Sequence, residues 1–188
     1  MVRTGGVGEF ISVDSASGGP LRLRWVIAHV PFITREYLGR LKALGGGVNL
    51  SGWNYLAGRG PRAGPPFRDV AESGVRAGFG ADGMNIAPMN PWVHAYYATT
   101  GRNALGELVN EGQQVDRAQV LRWYTRDNQW FLGGPDEALL GAVEVGRLGD
   151  LIVLNDDYFS VSDEDLKKIR SVLTVVGGVV VHDAGVLG

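Results

Sequence analysis

Gly74-Val75-Arg76-Ala77-Gly78-Phe79-Gly80-Ala81-Asp82 is a short, largely apolar run bounded by glycines and ending on a carboxylate. Its length and its flanking Gly residues favour a buried strand over a helix. We read Val75–Ala81 as that strand, with Asp82 at its C-terminal end. Working back from it, Phe67–Ser73 reads as a helix stopped by Gly74, and Gly52 to Pro66 as a long Gly/Pro/Arg loop. Gly47–Ser51 reads as a second short strand. Before it, Thr34 caps a helix with Glu36 in the first turn and Tyr37, Leu38, Leu41 and Leu44 along one stripe, and Gly45-Gly46-Gly47 end that helix. Leu21–Val30, β-branched and aromatic and ending in His29-Val30-Pro31, is the first firm strand. Strands alternating with helices are the rhythm of a parallel sheet with right-handed crossovers.

Outside this block the pattern is less regular. Residues 1–20 are Gly/Ser-rich and read as a loose lead-in, with at most a short strand or turn at Gly8–Val13. Beyond Asp82, Pro91 to Thr100 reads as a helix with Pro in its first turn, and Asp116–Phe131 as a second helix with an acidic cap. Pro135–Leu140 completes a final helical turn. From Gly141 the character changes to short apolar strands, Leu151–Leu154, Ser171–Val176 and Val179–Val181, with Gly177-Gly178 as a hairpin turn and a capped helical turn at Ser162 to Lys168. The expected organisation is therefore a lead-in (1–20), an α/β part (21–140) and a small, mostly β part (141–188).

Composition narrows the function. The chain has 188 residues, 45% apolar and 20% charged, and its 29 Gly sit at element ends rather than in a period. A net charge of −2 gives no basic excess for a phosphate backbone, so nucleic acid is not expected as a partner. The absence of Cys removes disulfides, thiolate nucleophiles and Cys-based metal sites. There is no long apolar run and no signal-peptide layout, so no membrane association is expected and a cytoplasmic location is the default.

Two residues stand where a parallel α/β fold gathers its chemistry, at strand C-termini. His29 is either a metal ligand or a strand-end imidazole bonded to nearby backbone. Asp82 is either a metal-site or proton-accepting carboxylate, or a turn Asp bonding its own backbone before Gly83. Gly78-Phe79-Gly80-Ala81-Asp82-Gly83 also spells G-x-G-x-x-G, but no helix start follows it and Asp82 would face the phosphates, so we do not read it as a nucleotide site. Packing accounts for His94 beside Trp92, Tyr96 and Tyr97, and solvent exposure for His182 beside Asp183. Trp53, Asn54 and Tyr55 in the long loop either face a substrate or pack beneath the loop.

Four segments resemble the C-terminal part of metal-dependent amidohydrolases of the "amidohydrolase 3" group. Leu23-Arg24-Trp25-Val26-Ile27-Ala28-His29 is similar to that family's sixth barrel strand, and Gly74 to Asp82 to its eighth. Leu121-Arg122-Trp123-Tyr124-Thr125, followed by Gly133, resembles the next helix. Gly141-Ala142-Val143-Glu144-Val145-Gly146-Arg147-Leu148-Gly149-Asp150-Leu151-Ile152-Val153-Leu154 resembles the signature that returns the chain to a small β domain. The resemblance implies the last three βα units of a (β/α)₈ TIM barrel followed by a β-sandwich-type module. It implies a hydrolase acting on amide or related C–N bonds, or on esters, in which a metal-activated water attacks a small-molecule substrate. Asp82 would be the catalytic carboxylate and a metal ligand, and His29 a metal ligand. Zinc is the first expectation for the divalent metal, although a His–Asp pair suits manganese, iron or nickel as well.

No His-x-His occurs in the sequence, and the family's other ligands would lie upstream of Leu21. Two protein ligands fall short of the three a catalytic zinc normally has. We therefore expect the chain to be inactive alone, needing a missing barrel half or self-association to cover its sheet edges. The alternative is a non-catalytic, structural or oligomerising module derived from an amidohydrolase.

Overall fold

The computed structural model describes residues 9–10, 24–84 and 86–188; the expected lead-in and the first residues of the Leu21–Val30 strand lie largely outside them. The first sheet has four strands in the order β1-β2-β3-β4: β1 (Glu9–Phe10), β2 (Arg24–Ala28), β3 (Gly47–Ser51) and β4 (Arg76–Gly80). β2, β3 and β4 run parallel, with Ala28 opposite Asn49 and Ser51 opposite Gly80. The expected parallel α/β layout is thus present. β1 pairs antiparallel with β2, so the outer edge of β2 is not wholly open.

Side chains alternate across a strand, so this register sorts the residues into two faces. Val48 and Leu50 of β3 share a face with Ala77 and Phe79 of β4, and all four are buried. Helices α1 (Arg35–Ala43), α3 (Phe67–Ser73), α4 (Pro91–Thr100) and α5 (Arg117–Tyr124) supply the rest of that core through Leu38, Leu41, Phe67, Val70, Tyr96, Tyr97, Val120 and Trp123. Phe79 is its hub, stacked on Phe67 at 5.6 Å and on Tyr124 at 4.8 Å between ring centroids. The opposite face carries Gly47, Gly78 and Gly80 with Asn49 and Ser51.

Three of the core helices start at side-chain caps. Thr34 accepts from the Tyr37 amide, Asn90 from Trp92 and Asp116 from Gln119. The long loop contains a short helix, α2 (Asn54–Ala57), that its Gly/Pro content conceals. One expected helix is not continuous. Asp116–Phe131 breaks at Thr125, whose backbone leaves helical values and whose Oγ1 donates to the Leu121 carbonyl at 2.7 Å. A 3₁₀ segment, Asp127–Phe131, follows. The break has a tertiary cause: Asn128 Nδ2 donates to the Phe79 carbonyl on the outer edge of β4, while Trp130 lies over Gly47 and Phe131 over Gly78. A continuous helix could not reach round that edge.

After α6 (Asp136–Leu139) the chain forms β5 (Leu151–Leu154), α7 (Asp163–Leu166), β6 (Ser171–Val176) and β7 (Val179–Asp183). β5, β6 and β7 make one antiparallel sheet, with Gly177 and Gly178 both at positive φ in the β6–β7 turn. A sandwich needs two sheets packed face to face; among the described residues β5, β6 and β7 supply one such sheet. Tyr158, Leu166 and Ile169 join the main core, Tyr158 packing on Trp92 and donating from its hydroxyl to the Arg117 carbonyl. Among the described residues no helix is long and apolar enough to cross a membrane. A cavity of about 600 Å³, lined by Lys42, Arg76, Trp123 and Trp130 among others, opens at the N-terminal end of β4.

Truncating the hub should cost about 3–5 kcal/mol. Phe79→Ala is therefore expected to lower the urea midpoint strongly at an unchanged slope, as an equilibrium titration would show.

Candidate functional site

The C-terminal ends of the parallel strands converge on three polar residues. His29 follows β2 directly, Ser51 ends β3, and Asp82 lies two residues beyond β4. His29 Nε2 and Asp82 Oδ2 are 3.6 Å apart, and both side chains are about one-third exposed. His29 Nδ1 lies 3.1 Å from Ser51 Oγ, and Ser51 is fully buried. When Nδ1–H donates to that hydroxyl, Nε2 keeps its lone pair toward Asp82.

The backbone here is held in costly conformations. Among the described residues the non-glycine positive-φ positions are His29, Val30, Asp82 and Met84, all in the loops leaving β2 and β4. His29 has φ 67°, and the Val30 amide donates to the Ala28 carbonyl at 2.8 Å, closing a tight three-residue turn of the rare positive-φ kind. Val30, a β-branched residue, follows at φ 29° and is anchored in the core. Strain of this kind persists only where surrounding packing over-determines it, and it concentrates at functional sites.

His94 is fully buried at the start of α4. Its Nδ1 accepts from the Gly52 amide at 3.1 Å, and its Nε2–H donates to the Pro88 carbonyl at 2.8 Å. Burial is the main cause that lowers its pKa, with the Pro88 bond acting against it. The sequence suggested packing for His94, and packing is present, as in its edge-to-face contact with Phe79 at 6.3 Å. The sequence did not reveal the two backbone bonds. His182 is exposed on β7, and neighbouring Asp183 accepts from the amides of Gly185 and Val186. In the long loop Asn54 is buried and Tyr55 packs edge-to-face on Tyr96 at 6.1 Å, which is the packing alternative for those two. In the G-x-G-x-x-G run, the next helix begins only at Pro91.

The donor set of His29 and Asp82 suits one divalent ion. Two N/O ligands at about 2.0–2.2 Å from a tetrahedral zinc stand roughly 3.3–3.6 Å from each other, which the 3.6 Å observed matches at its upper end. No group of three or more His, Cys, Asp or Glu arranged for a metal occurs among the described residues. Ser51 is the residue that sequence reasoning missed. The available signal was a small polar side chain ending an apolar strand at the same sheet edge as His29 and Asp82.

The model of the amidohydrolase family matches residues 15–182. Among solved structures, a mutant of atrazine chlorohydrolase from Arthrobacter aurescens, complexed with zinc and atraton, is similar at TM-score 0.61 and 24% identity. That likeness covers 84% of this chain and 36% of the other. An uncharacterized metal-dependent hydrolase from Pyrococcus horikoshii is similar at TM-score 0.60 and 23% identity, over 74% of this chain and 30% of that one. A further uncharacterized metal-dependent hydrolase, from Pyrococcus furiosus, is similar at TM-score 0.51 and 22% identity, over 65% and 26% of the two chains. Comparison with curated proteins gives no match. At these identities the structural likeness is one of fold, and the chain spans about a third of the length of the first of these structures.

Two outcomes follow from the site. The lowered pKa of His94 means that the unfolded chain takes up a proton, near pH 6.5, before the folded one does. Stability from this residue is complete above that pH and is lost as pH falls below it toward the folded pKa. Denaturant titrations across this window should show a smaller loss for His94→Gln than for the parent chain. Met84 is exposed at φ 80°, so Met84→Gly should relieve strain without losing packing and raise the unfolding free energy by about 1 kcal/mol. Met84→Ala should not, and thermal melts would separate the two.

Proposed function

The chain belongs to the amidohydrolase family, and on that premise we propose that it is the C-terminal portion of a metal-dependent hydrolase, inactive by itself, that acts on amide or related C–N bonds. In this reading β2, β3 and β4 are the last three strands of a (β/α)₈ barrel, and residues 141–188 belong to a small β domain. The observation that carries it is the 3.6 Å approach of His29 Nε2 to Asp82 Oδ2 at the C-terminal edge of a parallel sheet. Active sites of such barrels lie at that edge.

A divalent metal, zinc first, held by His29 and Asp82 together with ligands from the rest of a barrel, would supply Lewis-acid activation of water and of the scissile bond. The chain's own residues divide the remaining work. Ser51 holds the His29 ring through Nδ1, which leaves Nε2 as the ligand atom. The Asp82 carboxylate accepts a proton from the attacking water as hydroxide adds to the substrate carbon, then returns it to the leaving nitrogen as the C–N bond breaks. Both side chains are partly open to solvent, which leaves room for substrate.

A second reading, a non-catalytic module that associates with copies of itself, is favoured by one observation. Ile152 of β5 and Val179, Val180 and Val181 of β7 are exposed on the antiparallel sheet. A monodisperse monomer at micromolar concentration in analytical ultracentrifugation would rule it out.

The hydrolase reading is tested by complementation. The 188-residue chain alone is expected to hydrolyse no amide substrate. Co-expressed with the upstream part of an amidohydrolase barrel bearing the His-x-His strand, it should give zinc-dependent hydrolysis. Asp82→Asn should then lower kcat/KM by at least about 100-fold. Undiminished activity in that variant would remove Asp82 from the role assigned to it.

A further inference from the structure

We propose that His94 is a positioning residue, setting the approach of His29 and Asp82 by tying together the loops that follow β3 and β4. The inference rests on the reading of those two residues as the functional site. Gly52, whose amide donates to His94 Nδ1 at 3.1 Å, directly follows Ser51, and Ser51 is the residue against His29 Nδ1. Pro88, whose carbonyl accepts from His94 Nε2–H at 2.8 Å, belongs to the loop that carries Asp82. That loop is closed on itself by the Met84 amide donating to the Ala87 carbonyl at 2.9 Å. One buried imidazole therefore bonds to the backbone beside Ser51, which faces His29, and to the backbone of the loop that carries Asp82.

The chemistry of the two bonds explains why histidine suits the place. A backbone amide can only donate and a backbone carbonyl can only accept. The ring must therefore present a lone pair at Nδ1 and a proton at Nε2, which the neutral Nε2–H tautomer alone provides. The fit is close: a Cβ on Gly52 would come within 2.7 Å of Nδ1, so a side chain at 52 would push the ring away. Phe79 packs edge-to-face on the ring from the sheet side, while the two hydrogen bonds set its position.

Asn and Gln separate the two bonds. An Asn side-chain oxygen lies near the place of Nδ1 and can accept from Gly52, but Asn is too short to reach Pro88. The Gln side-chain nitrogen lies near the place of Nε2 and can donate to Pro88, leaving Gly52 unpaired. The experiment uses isotope-labelled 188-residue chain and reads the nuclear Overhauser cross-peak between the His29 ring and the Asp82 β protons. His94→Asn and His94→Gln should each lose the cross-peak, with Gly52 amide exchange accelerated only in His94→Gln. Phe79→Leu, destabilised with both bonds intact, should keep it. A cross-peak unchanged in either His94 variant would overturn the proposal. Should both variants fail to fold, the parent chain still decides: long-range nitrogen-15 correlations must show His94 as neutral Nε2–H, and the other tautomer or a rapidly exchanging mixture would overturn it. This outcome is distinct from that of the hydrolase reading, since the cross-peak is measured without activity and Asp82→Asn is assayed without reference to His94.

Discussion

The parallel register of β2, β3 and β4 is the constraint on which the rest of the molecule depends. Val26 pairs with Gly47, Ala28 with Asn49, Asn49 with Gly78 and Ser51 with Gly80, so the three strands end at nearly the same level. A one-residue slip would reverse the faces, sending Val48 and Leu50 away from the helices and Asn49 and Ser51 into the core. The fully buried Leu38, Phe67 and Val70 oppose that slip from the helix side, and Phe79 with its two stacked partners opposes it from β4. His29, Ser51 and Asp82 meet because the register is fixed, with no local motif bringing them together.

The second face of the sheet shows how the described chain handles an edge. Gly47 and Gly78 leave room on it, and Trp130 and Phe131 take that room as the chain turns round β4. Arg24, starting β2, bonds to the Trp130 carbonyl, lies over its ring at 5.2 Å and pairs with Glu137 at 2.7 Å. Unpaired strand edges are liabilities that proteins cover, and Asn128 covers one carbonyl of β4 while β1 pairs with part of β2. The cover is thin: it consists of side chains and a two-residue strand. In the proposed reading, a barrel strand beside β4 would compete with Asn128 for the Phe79 carbonyl.

Much of this was legible in the sequence because local and tertiary signals agree. Gly47–Ser51, Phe67–Ser73, Pro91–Thr100, Leu151–Leu154 and Ser171–Val176 are bounded by Gly, Pro or cap residues, and the structure bounds them at the same positions. Where the two kinds of signal part, the sequence misleads. Asp116–Phe131 reads as one helix from its acidic cap and apolar Val120, Leu121, Tyr124 and Trp130, yet long-range contacts from Asn128, Trp130 and Phe131 to the sheet accompany a break at Thr125. The candidate site divides the same way. His29 and Asp82 stand out because their residue types advertise chemistry at strand ends. Ser51 and the bonds of His94 are invisible until β3 and α4 are placed side by side, since Gly52 and Pro88 contribute backbone atoms that carry no residue-specific signal.

The strained loops give the tether its physical sense. A histidine at φ 67°, a valine at φ 29° and an aspartate at φ 50° each cost free energy that an isolated turn would shed by relaxing. Packing must therefore hold both loops, and the two are held differently. Val30 is sunk into the core, so the loop after β2 is fixed by burial. The loop after β4 exposes Met84 and Met89, and its buried Ala87 lies outside the main core cluster that holds Val30. What it has is the buried carbonyl bond from His94 and the Ala87–Met84 closure. A polar tether from a buried ring is directional where an apolar anchor is not, because losing the bond strands the buried His94 donor at a cost of about 1–3 kcal/mol. Burial can keep the His29 loop in place, but only a directional contact can also set how far Asp82 stands from it.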